Sequence, residues 1–155
     1  MVKRGPHLRP QADERAVRGG LNRLAEVMAG SDPQTGLRQV ITIFCDFWSF
    51  DAAALGVLYA AAANDLELDA SMRERNERRR HLLTVLVRRI AKGRYLRTKK
   101  LGDLVDVLLA LTSFPFFSQL TAEGRSAETA GRLIQELAMD AVRRATGKDH
   151  GCAPF

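Results

Sequence analysis

Between Asn64 and Leu96 the chain runs NDLELDASMRERNERRRHLLTVLVRRIAKGRYL, an acidic opening, an Arg-rich first half and a Leu/Val-rich second half. Leu68, Met72, Asn76, Arg79, Leu83, Leu86 and Ile90 recur at the spacing of one helix face, which predicts a single long helix from about Leu66 to Lys92. Two polar side chains interrupt that face at mid-helix. Either the helix projects beyond the core there, or Asn76 and Arg79 are buried with partners, because an isolated buried charge is too costly. Gly93 suits the left-handed position that closes such a helix.

Helices extend from this one in both directions. Upstream, DAAALGVLYAAAAN (Asp51–Asn64) reads as a short Ala-rich helix whose bulky members are Leu55, Leu58 and Tyr59. Before it, Asp32 can cap and Pro33 suits the first position of a helix carrying Leu37, Val40, Ile41, Phe44, Phe47 and Trp48 as one broad stripe. Ile43 and Phe50 add apolar bulk on its other side, and a helix apolar nearly all round is buried between others. Val17, Leu21, Leu24 and Met28 mark a first helix from about Asp13, with Gly19 and Gly20 weakening its start and Gly30 ending it.

Downstream, Leu101 to about Leu120 carries Leu104, Val105, Leu108 and Leu111 on its inward side, and Pro115 is expected to bend or break it after Phe114. Ser126 caps a last helix whose stripe, Ala127, Ala130, Ile134, Leu137, Ala138, Ala141 and Ala145, is rich in small residues and suits tight helix–helix contact. The expectation is an all-α, six-helix domain over residues 13–146, with a disordered segment at 1–12 and a flexible tail at 147–155.

Composition agrees with that class. A chain of 155 residues, 46% apolar and 27% charged, is one domain by size and can bury a real core. No window approaches 18 uninterrupted apolar residues, so no membrane span is expected. The basic start MVKRGPHLRPQADERA lacks the apolar run of a secretory signal, and a cytoplasmic location is the expectation. Cys45 and Cys152, far apart and without a CxxC, fit a reducing compartment. The net charge of +6 is local: Arg78 to Lys100 holds ten Lys and Arg and no Asp or Glu, while the remainder sums to −4. Such a run is most often a solvated face, and its functional alternative is an anion-attracting surface for a nucleic acid backbone.

Catalytic constellations are absent from the sequence. His7 and His150 lie in the terminal segments and His81 is alone on a helix, so neither a metal set nor a metalloprotease motif forms. Glycine-rich phosphate loops and a nucleophile elbow are also missing. Asp46 and Asp51 lack a third group to orient them as an acid–base pair. The expectation is a protein that is not an enzyme and takes no cofactor or metal. Aromatic residues cluster instead, Phe44, Phe47, Trp48, Phe50 and Tyr59 in one group and Phe114, Phe116 and Phe117 in another. They make either a plain core or the wall of a ligand cavity between helices, and periodicity cannot separate the two. For a cavity, the expected lining is Phe44, Phe47, Trp48, Leu58, Tyr59, Leu83, Leu86 and Thr112, with Tyr59 as hydrogen-bond donor.

The acidic opening, the MRERNERRR core, the LL-x-x-L-x-x-R-I run, the glycine stop and the LLALTSF segment at Leu108–Phe114 together resemble the effector-binding half of TetR-family transcriptional regulators. The resemblance spans about Leu37 to Arg144 and rests on the order of the helices as well as on these strings. It implies an all-α homodimer whose divergent C-terminal half binds a small hydrophobic effector. The helices at Leu37–Phe50, Ala52–Asn64 and Leu66–Lys92 resemble those around the ligand, and Leu101–Phe114 with Ala127–Ala145 resembles the pair that forms a four-helix bundle with a second copy. The expected dimer face is Leu104, Val105, Leu108, Leu111, Ile134, Leu137 and Ala141, a set that a six-helix monomer is not expected to cover. The family places a DNA-reading helix-turn-helix ahead of this half, and MVKRGPHLRPQADERA has no pattern for one. The expectation is thus a regulator core without its own DNA reader in this chain; the alternatives are a reader-less helical protein that pairs with a full-length regulator, and a plain helical core without a ligand.

Overall fold

Short polar side chains start most of the helices, each accepting a backbone N–H that the first turn leaves unpaired. The computed structural model describes residues 10–92 and 96–147, and among these seven helices occur and no strand. The first, α1 (Pro10–Ala29), begins inside the segment expected to be disordered; residues 1–9 lie outside those described. Asp32 accepts from the N–H of Gln34 at 3.2 Å, and with Pro33 in the first turn it opens α2 (Pro33–Phe50). Asp51 accepts from the N–H of Ala54 and opens α3 (Ala52–Ala62). Asp65 accepts from the N–H groups of both Glu67 and Leu68 at 3.0 Å and opens α4 (Leu66–Ile90). The expected stop at Gly93 lies outside the described residues, as does the tail from 148 onward.

The helix expected from Leu101 to Leu120 is two. α5 (Thr98–Leu111) ends first, and α6 (Phe114–Thr121) then leaves it at 47°. Pro115 begins a helix here rather than breaking one, because the first turn needs no N–H from it and the Ser113 hydroxyl accepts from the N–H of Phe116 at 3.3 Å. This accounts for seven helices where six are expected. The last, α7 (Ala127–Thr146), is capped by Ser126, which accepts from the N–H of Thr129.

α2 is the central helix, packed against α1, α4 and α7 and more lightly against α3 and α6. Leu37, Val40 and Ile41 are fully buried there against Leu83, Leu86 and Val87 of α4, Leu108 of α5 and Ile134 of α7. Full burial of each such side chain stabilises by about 1.5–3 kcal/mol. Gly131 of α7 faces Cys45 of α2, and a Cβ there would make ordinary van der Waals contact with its Sγ at 3.6 Å. Polar ties reinforce the frame. Arg89 of α4 donates to the carbonyls of Met28 and Gly30, closing the end of α1, and Gln135 of α7 donates to the Arg38 carbonyl and Thr42 hydroxyl of α2.

Two expectations about exposure change. Leu104, Val105, Leu108 and Ile134 are buried within a single chain, in one core with residues of α2 and α4, where they were expected on a face left for a partner. α3 buries no residue at all, and Val57 on it is 72% exposed, while Phe50 at the end of α2 also faces outward. No single helix among the described residues is long and apolar enough to cross a membrane.

Candidate functional site

Arg79, the one charged side chain buried among the described residues, stands at the centre of a polar group inside this core. It lies on the inward face of α4, where the stripe places it, and only 7% of its surface is exposed. Nη1 donates to the Thr112 carbonyl at 3.2 Å, and Nη2 donates to the Leu109 carbonyl at 3.3 Å and to Asn76 Oδ1 at 3.2 Å. The two carbonyls belong to the C-terminal end of α5, where unpaired C=O groups gather the negative end of the helix dipole. Aromatic rings close the site. The guanidinium carbon sits 5.7 Å from the centre of Phe44 and 5.9 Å from that of Trp48, within reach of a cation–π attraction. Trp48 Nε1 donates to the same Thr112 carbonyl at 3.0 Å. Phe114 lies 5.8 Å from Trp48 and 5.0 Å from Tyr59, and Phe47 meets the edge of Trp48 at 5.2 Å.

Electrostatics follow from the burial. Loss of water pulls the Arg79 guanidinium below its ordinary value, with Tyr59 opposing. Loss of water likewise pushes the Tyr59 hydroxyl up, opposed by the charges of Arg79 and then Arg75. The Arg79 Nε–H is buried and meets no acceptor.

Of the lining expected from sequence, Phe44, Trp48, Tyr59 and Thr112 gather around Arg79, and Phe47 joins through Trp48. Leu83 and Leu86 are fully buried in the main core, and Leu86 faces Gly36, where a Cβ would stand 3.4 Å from its Cδ2. Leu58 is half-buried on α3 and is not among the side chains packed against the core. Missing from the expected set are Arg79 itself, Asn76, Phe114 and the α5 carbonyls. The signal for the first two was present as the polar break in an apolar stripe; the carbonyls leave no trace in a sequence.

A second feature lies on the other side of α5. Lys100, Asp103, Leu104 and Val107 of α5 and Leu137, Asp140, Ala141, Arg144 and Ala145 of α7 line an open groove of about 480 Å³. Val107 is 46% and Leu137 38% exposed there. Each wall carries both signs of charge, Lys100 with Asp103 and Asp140 with Arg144. Of the expected dimer face, Leu104, Leu137 and Ala141 line this groove, Leu111 is half-buried, and Val105, Leu108 and Ile134 are core.

The remaining candidates have structural partners. Arg78 pairs with Glu74, and Arg80 pairs with Glu77 and with Asp106 across to α5. Arg79 is buried and Arg89 closes the end of α1, so each has a structural role within the basic run. Asp46 pairs with Arg23 at 3.0 Å, and Asp51 serves as a cap, so the two do not act together. Among the described residues no group of His, Cys, Asp and Glu could hold a metal. Burial, with a smaller contribution from Asp46, pushes the Cys45 thiol up to about 11. Compared with known proteins, the chain matches no family model, no curated protein and no solved structure.

Proposed function

We propose that this chain is the effector-binding and dimerising core of a TetR-like transcriptional regulator, taking a small hydrophobic molecule at the Arg79 cluster and pairing with a second copy along α5 and α7. The observation that carries this reading is the double role of α5. Its C-terminal carbonyls hold Arg79 and Trp48, and its outer face forms one wall of the α5–α7 groove. A molecule that displaced Arg79 or Trp48 would release the end of α5 and thereby alter the surface on which the second copy sits. Binding and pairing would then be coupled through one rigid element with two arrangements. The groove suits a second copy of the same chain, because its exposed apolar residues Val107 and Leu137 can pack against their own copies across a two-fold axis.

Sedimentation at micromolar concentration, with and without apolar compounds that shift Trp48 emission, tests both halves of the proposal. A dimer whose dissociation constant changes on compound binding is the expected result. A monomer at all concentrations, or a dimer indifferent to every compound that perturbs Trp48, overturns it.

A further inference from the structure

We infer that the molecule received at the Arg79 cluster is an apolar acid, and that Arg79 binds its carboxylate through the edge that carries Nε. This rests on the reading of the cluster as a ligand site. Arg79 makes no ion pair with any carboxylate among the described residues; its acceptors are two carbonyls and one amide oxygen. A guanidinium keeps its charge in any protein site, and a buried charge needs compensation. The C-terminus of α5 supplies only about half of one negative charge. Phe44 and Trp48 lie together on one side of the guanidinium, Nη1 donates to Thr112, and Nη2 donates to Leu109 and Asn76. What remains is the buried Nε–H without an acceptor.

A carboxylate that accepted from Nε–H and displaced the neutral acceptor now held by Nη2 on the same edge would gain two paired charge-assisted bonds, among the strongest that a side chain makes. The apolar body of the acid would lie against Tyr59 and Phe114, under α3. No carboxylate competes from that side, because Ala52 to Asn64 carries no charged residue. α3 is also the element that can lift to admit it, since none of its residues is buried.

Neutral twins test the inference on the unaltered protein. Decanoate and 4-phenylbutanoate are compared with decanol and 4-phenylbutanol at about pH 7.5, where the acids are ionised, by Trp48 emission and by shift of melting temperature. Each acid should bind about tenfold or more tightly than its alcohol. In Arg79→Met the ratio of acid to alcohol affinity should fall to about one, whatever the variant does to the alcohols themselves. If that variant does not fold, Arg79→Lys replaces it: the charge stays, the two-bond edge goes, and the preference for decanoate over decanol should shrink by roughly fivefold. Equal binding of acid and alcohol by the unaltered protein, an acid preference retained in Arg79→Met, or one undiminished in Arg79→Lys, overturns the inference and leaves the ligand site standing. Failure of all four compounds to bind overturns the ligand site as well.

Discussion

Arg79 brings a full charge among neighbours that are all neutral, and the consequences differ with what replaces it. Arg79→Met keeps the length of the side chain and removes the charge. Trp48 Nε1 would still reach the Thr112 carbonyl, and the Thr112 hydroxyl donates to the Leu109 carbonyl at 3.4 Å. The change in stability should therefore stay within about 1.5 kcal/mol of zero, since apolar replacements of buried charges are often neutral. Arg79→Ala opens a void beside Phe44 and Trp48 and should cost about 2–4 kcal/mol in urea unfolding. Cys45 offers a check on burial by pH. Its thiol is held at about 11 in the fold against an ordinary 9.0, so the folded form stays neutral after the unfolded form has begun to ionise. The contribution is intact below about pH 9 and is lost as pH rises towards about 11. Wild type should lose stability faster than Cys45→Ala across that window, and equal slopes would show that the thiol is not shielded. At this scale the sequence reached a fork and stopped. It offered a projecting helix or a buried Asn76–Arg79 pair, and only the α5 carbonyls, donated by a different part of the chain, decide between them.

Helix ends were the most legible elements, because a cap and its first turn are neighbours in sequence. Asp32 before Pro33, and Ser126 before Glu128, are local signals that need no knowledge of the rest of the fold. Asp65 is the strongest cap by geometry, with two N–H groups on one carboxylate oxygen. Asp65→Ala should cost about 1 kcal/mol, and Asp65→Asn distinctly less, in thermal unfolding. Pro115 marks where this legibility ends. A proline stops a helix that arrives at it and suits the start of one that departs, and the choice turned on whether Ser113 accepted from Phe116. The inward side of α7 was likewise ambiguous. Its small residues wrap far enough round that Ala130, Ile134, Ala138 and Val142 face the core while Leu137 and Ala141 border the groove.

For the whole molecule, the apolar residues of α5 and α7 could be picked from the sequence but not divided between interior and surface, since both demand the same side chains. That division needs the positions of α2 and α4 beneath them. It also selects the variants that separate the two roles. Leu137→Asp with Ala141→Asp should yield a folded chain of one copy by sedimentation, whereas Ile134→Ala, at a fully enclosed site, should lower stability by about 2–5 kcal/mol by itself. A dimer that persists in the double variant would exclude the α5–α7 groove as its seat. α3 has a further consequence for how the molecule breathes. Held at its start by Asp51 and followed by the cap of α4, it contributes Leu55 and Tyr59 to the core margin and nothing to the interior. Its amide protons should then exchange with heavy water through a local opening that leaves α2, α4 and α7 folded, about a hundredfold faster than those of Val40 to Phe44. Protection would rise most at α3 when a molecule binds at the Arg79 cluster.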